Sequence, residues 1–87
     1  METILDYHFE LKAWFSLEMP KDARILAVRV QDQAPTLWAL VDTDNPMRPR
    51  KFRLFGTGDP TTDAFRLEHL GTFVDAGRVW HLFEDWR

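Results

Sequence analysis

The sequence predicts an all-β domain: a small barrel or a two-sheet sandwich of about six to seven mostly antiparallel strands, with at most one short helical turn. Three observations carry that expectation. Apolar and polar residues alternate with period two through nearly every segment. Turn-forming residues interrupt the alternation at short intervals. No segment sustains the 3.6-residue spacing of a long helix. At 87 residues the chain makes a single small β domain, residues 1–87, without repeat, low-complexity stretch or linker.

Leu5, Tyr7, Phe9 and Leu11 alternate with Asp6, His8 and Glu10 and predict the first strand. Phe15, Leu17 and Met19 alternate with Ser16 and Glu18 and predict a second, ending at Pro20. After a turn at Lys21-Asp22-Ala23, a third strand places Leu26, Val28 and Val30 on one face. Gln31 to Thr36 reads as a hairpin loop. Leu37 to Val41 is apolar on both faces, with Leu37, Ala39 and Val41 on one and Trp38 and Leu40 on the other. Such a strand belongs in the middle of a sheet or at an interface. Asp42 to Pro49 is turn-rich. Lys51 to Phe55 then alternates with Phe52 and Leu54 inward, Lys51 and Arg53 outward, and Gly56-Thr57-Gly58-Asp59-Pro60 breaks it. Thr62 is a candidate N-cap for a single helical turn.

The C-terminal segment predicts a hairpin. Glu68 to Val74 and Arg78 to Glu84 flank Asp75-Ala76-Gly77, a three-residue loop whose glycine suits the left-handed position of a bulged turn. That register pairs Val74 with Arg78, Thr72 with Trp80 and Leu70 with Leu82. Both hairpin faces are substantially apolar, so it needs cover on two sides.

Composition bounds the function. Hydrophobic residues make up 45% of the chain and aromatics 14%, including four tryptophans and seven phenylalanines, more than so small a core can enclose. The surplus must lie where something else can contact it. The absence of cysteine excludes disulfides, thiolate metal sites and a cysteine nucleophile. It also favours a cytoplasmic setting, since small secreted domains lean on disulfides. No apolar run approaches the length of a membrane span. A net charge of −3 provides no general attraction to nucleic acid or anionic membrane.

Four groups of residues invite chemistry. His69 and His81 share a hairpin face, and His8 is a conceivable third ligand. No ligand-spacing motif accompanies them, so they read as histidines at the edge of a core, with no metal or other cofactor expected. Gly56-Thr57-Gly58-Asp59 follows a strand, but Pro60 and the lack of a following helix fit a tight strand exit better than a phosphate cradle. A small-molecule or nucleotide site there and on the histidine face is a lesser alternative. The basic cluster Arg48, Arg50, Lys51 and Arg53 is interleaved with Phe52 and Phe55, as in β modules that bind single-stranded nucleic acid. It equally suits a solvated face that discourages edge-to-edge association. Finally, Trp38, Leu40, Leu70, Trp80 and Leu82 form a candidate protein interface. Interior packing and contact with a partner fit them equally. Ser16, the only serine, lies on a strand, and no carboxylate pair stands out. The expectation is a protein that is not an enzyme.

Several stretches together resemble a known family. They are Glu18-Met19-Pro20 through Arg24-Ile25-Leu26-Ala27-Val28, Leu37-Trp38-Ala39-Leu40-Val41-Asp42, Phe52-Arg53-Leu54-Phe55-Gly56-Thr57-Gly58, Gly71-Thr72-Phe73, and Val79-Trp80-His81-Leu82-Phe83-Glu84. The chain from Ile4 to Glu84 is similar to an uncharacterised family of short proteins of tailed phages and prophages. Leu11-Lys12-Ala13-Trp14-Phe15 departs from the more polar link of that pattern. The resemblance implies a phage or prophage setting, hence the host cytoplasm, and no catalytic residue. Together with the aromatic surplus it leads to three expectations: an accessory protein that binds a host protein, inhibiting a host or defence factor; a homodimer covering one face of the C-terminal hairpin; and, as the alternative, a nucleic-acid-binding module.

Overall fold

The alternating segments become seven strands in a computed structural model, which describes residues 1–86. They are β1 (Glu2–His8), β2 (Trp14–Pro20), β3 (Arg24–Gln31), β4 (Ala34–Asp42), β5 (Met47–Gly56), β6 (Glu68–Asp75) and β7 (Arg78–Asp85). A three-stranded sheet has the order β1-β4-β3, and a four-stranded sheet has the order β2-β5-β7-β6. Every pairing is antiparallel. The sheets enclose one core without closing into a barrel. The single helical feature among the described residues is a 3₁₀ turn at Ala64–Arg66. Its N-cap is Asp63, not Thr62, and Asp63 makes no side-chain capping bond. Among the described residues no helix is long and apolar enough to cross a membrane.

The core lies where the alternation predicts it. Leu37, Ala39 and Val41 of β4 face Met19 of β2, Phe52 and Leu54 of β5, Phe73 of β6 and Leu82 of β7, all nearly free of solvent contact. Burying these side chains stabilises the fold by about 1.5–3 kcal/mol for each large one. Three phenylalanines continue the core at the crossing between the sheets. Phe9 stacks on Phe15 at 4.8 Å, and Phe15 on Phe52 at 5.2 Å. This stack ends β1 early: Phe9 turns into the core, so the strand stops at His8 instead of running to Leu11.

Both hairpin turns are tighter than the sequence suggests. Asp32 and Gln33 have φ of 51° and 67°, and Ala76 and Gly77 have φ of 52° and 76°. Two consecutive positive φ values make two-residue type I′ turns, whose twist matches that of the flanking strands. The expected loop Gln31–Thr36 therefore shrinks to Asp32-Gln33, and β4 begins at Ala34. In the C-terminal hairpin the expected three-residue turn is overturned and the register shifts by one. Asp75 pairs with Arg78, Phe73 with Trp80, Thr72 with His81 and Gly71 with Leu82. The extra residue appears instead as an irregularity between His69 and Gly71, which lets Leu70 pack on the core. A second one, between Ile25 and Ala27, pushes Leu26 out of the core face expected for it, leaving it 43% exposed.

At one side β3 runs beside β6. A β-carbon on Gly71 would lie 2.5 Å from Val28 Cγ1, so the approach requires glycine there. The result is a slab of 40 × 31 × 16 Å. One layer of side chains fills it, and two broad outer faces remain.

Candidate binding faces

Strand β5 assembles the most unusual side chains. Arg50 and Arg53 are three residues apart and therefore project to opposite sides of the sheet. Arg50 turns inward to Glu84, whose side chain is 1% exposed. The guanidinium grips both carboxylate oxygens: Nε pairs with Oε2, and Nη2 donates to Oε1 at 2.8 Å. Nη1 donates to the Ala23 carbonyl at 2.8 Å. The Glu84 hydrogen bond holds the Arg50 guanidinium above its ordinary pKa. A cleft of about 340 Å³ opens beside this pair, lined in part by Ile25, Glu68 and Trp86. The Trp86 ring lies 4.8 Å from the Arg50 guanidinium, and its N–H donates to Glu68 at 2.7 Å. Within the cleft Arg50, Glu84 and Glu68 are thus already engaged within the chain.

Arg53 turns outward and is 9% exposed. Its guanidinium carbon sits 3.5 Å above the Trp14 ring and 5.0 Å from that of Phe55. Nε is buried with no hydrogen-bond partner, and among the described residues no carboxylate lies within ion-pair distance. The guanidinium is thus partly desolvated, at Nε, and the rings against it offset that by about 2 kcal/mol at most. Around it, Trp14 is 60% exposed, and Phe83 packs on Phe55 edge to face at 5.5 Å.

The two hairpin histidines occupy this same outer face, with His69 and His81 centroids 6.4 Å apart. A hydrogen-bonded chain joins them. Thr57 Oγ1 meets His81 Nε2 at 2.7 Å, His81 Nδ1 meets Thr72 Oγ1 at 3.0 Å, and Thr72 Oγ1 meets His69 Nε2 at 3.1 Å. Both His81 nitrogens are engaged. His8 lies on the other sheet, bonded through Nδ1 to Thr36 at 2.8 Å. Among the described residues no group of three potential metal ligands converges. The glycine loop folds on itself: Gly56 N–H donates to Asp59 at 2.9 Å, and Asp59 pairs with Arg78 at 2.5 Å. Both contacts hold the Asp59 carboxyl below its ordinary pKa, the Gly56 N–H contributing more.

The basic cluster is therefore divided. Lys51 and Arg53 belong to the outer face, Arg50 to the interior, and Arg48 sits exposed near the strand start. The candidate protein interface divides as well. Leu70, Trp80 and Leu82 turn inward against the core, the reverse of an interface. Trp80 Nε1 is buried there without a partner, and Arg78 stacks on the ring at 4.5 Å. Trp38 and Leu40 remain on the outer face of the three-stranded sheet, half-buried, with Arg29 stacked 5.2 Å from the Trp38 ring. Composition did not reveal Trp14 or Phe83 as members of a binding face, because it is the strand pairing that sets both of them opposite Arg53.

No curated protein matches the chain. No solved structure matches it. A family model does, described as a domain of unknown function and matching residues 1–87, and the chain accordingly belongs to the family DUF7352.

Proposed function

We propose that this protein is a non-catalytic accessory protein, of the kind tailed phages and prophages carry, which holds another protein on the outer face of its four-stranded sheet. The observation behind this reading is Arg53: buried, lacking a carboxylate partner among the described residues, and stacked on an exposed tryptophan. A partner carboxylate would supply the missing counter-charge, and apolar partner groups would cover Trp14 and Phe83. Trp and Arg are the residue types that dominate binding hot spots. The fitting partner is an acidic protein segment, such as one on a host or defence factor.

The test is site-specific photo-cross-linking in bacterial hosts. A cross-linker at Trp14 and one at Phe83 are expected to capture the same partner through an acidic segment, while one at Thr61 captures nothing. Arg53→Gln is expected to abolish capture. No common partner from several hosts, or capture unchanged by Arg53→Gln, overturns the reading.

The same Arg53–Trp14 stack, with Phe83 beside it, favours one second reading: bases stacking on this face with a phosphate at Arg53. Binding to single-stranded oligonucleotides would then weaken steeply with salt. Absence of binding at low salt ends that reading.

A further inference from the structure

We propose that two copies of this chain associate through the opposite surface, the outer face of the three-stranded sheet, about a two-fold axis running along β4. On the C-terminal hairpin Leu82 is a core residue and Leu70 and Trp80 pack against the core, so the inner face of that hairpin is covered within the chain itself. The apolar material for an interface lies elsewhere. Trp38 and Leu40 form the centre, Ile4 on β1 is 56% exposed, and the irregularity in β3 exposes Leu26.

The charges around this centre are sorted by strand. β1 carries Glu2 and Asp6, opposite Asp42 and Trp38 of β4. β3 carries Arg24 and Arg29, opposite Leu40 and Thr36 of β4. An isologous interface is self-complementary. An axis parallel to the strands lays β4 on β4 and β1 on β3 of the second copy. Asp6 is level with Trp38 and Ala27, so it falls between Arg24 and Arg29 of the second copy. An axis across the strands would instead set acids on acids and arginines on arginines. Asp42, which lies on the axis, is already paired with the Met1 ammonium at 3.0 Å. His8, level with Arg29 of the second copy, engages Thr36 through Nδ1. Thr36 donates its one hydroxyl proton to the Ala34 carbonyl at 2.9 Å, so His8 Nδ1 is the donor to Thr36.

Sedimentation equilibrium over a micromolar concentration series tests this. The wild-type chain is expected to be a dimer. Trp38→Asp and Ile4→Glu are expected to be folded monomers by NMR; Ile4 is exposed enough that its substitution leaves the core intact. Asp6→Arg should weaken association about ten-fold or more, since it sets like charges opposite each other. Combining it with Arg29→Asp should recover part of the loss. A monomeric wild-type chain overturns the proposal, as does a dimer indifferent to Ile4→Glu. Tighter association of the Arg29→Asp single variant overturns the axis. None of these outcomes bears on the Arg53 face.

Discussion

Arg50 and Arg53 stand three residues apart on β5 and meet opposite fates. The first lies between the sheets against a carboxylate that water does not reach. The second lies on an outer face against aromatic rings, with no carboxylate at ion-pair distance among the described residues. Both are largely buried arginines, and burial by itself says little about either. What separates them is the counter-charge. A compensated buried cation ties elements of the fold together, whereas an uncompensated one has capacity left for a ligand.

The largest effect should come from breaking the compensated pair. Glu84→Ala leaves a buried guanidinium without its partner and is expected to destabilise the protein by about 3–5 kcal/mol in denaturant melts. Replacing both partners, Arg50→Met with Glu84→Leu, should cost less than that single change, because no charge is then stranded.

The seam between the sheets should come next. Gly71→Ala forces a methyl group against Val28 and is expected to cost about 1–3 kcal/mol. Val28→Ala in the same chain should make the two changes less than additive.

Arg53→Gln should behave in the opposite manner to Glu84→Ala. It loses ring contacts worth up to about 2 kcal/mol and also relieves a desolvated charge, so stability is expected to stay within about 1 kcal/mol of wild type. A loss as large as that of Glu84→Ala would erase the distinction between the two arginines.

The smallest effect concerns Asp59. Its carboxyl is held below the ordinary range by the Gly56 N–H and Arg78. A depressed folded-state pKa contributes stability above the unfolded value, and that contribution disappears as pH falls through the folded value. Thermal melts at neutral and acid pH should show a slight loss below the ordinary carboxylate range, and Asp59→Asn should flatten it.

Much of the fold was legible in the sequence. The inward faces of β4 and β5 follow from alternation alone, and so does the split of Arg50 from Arg53, since even and odd positions of one strand cannot share a face. Glu84 shares parity with Trp80 and Leu82, so an acid at a core position was itself a signal that a cation must meet it. The hairpin register was not legible. Gly77 suits a two-residue turn as well as a three-residue one, and the choice depends on where the chain accommodates an extra residue. It does so at Leu70, where the packing of β6 beside β3 decides. Leu26 escaped its expected face for the same reason. The Trp14–Arg53 stack depends on pairing between β2 and β5, which no local pattern encodes.

The slab is 16 Å through. Anything seated on one broad face is separated from anything on the other by two sheets and the one layer of side chains between them. Two bodies gripped from opposite sides would be held close together, at a fixed spacing and angle. Geometrically the molecule is a shim, and its thinness sets how closely two larger objects can be aligned.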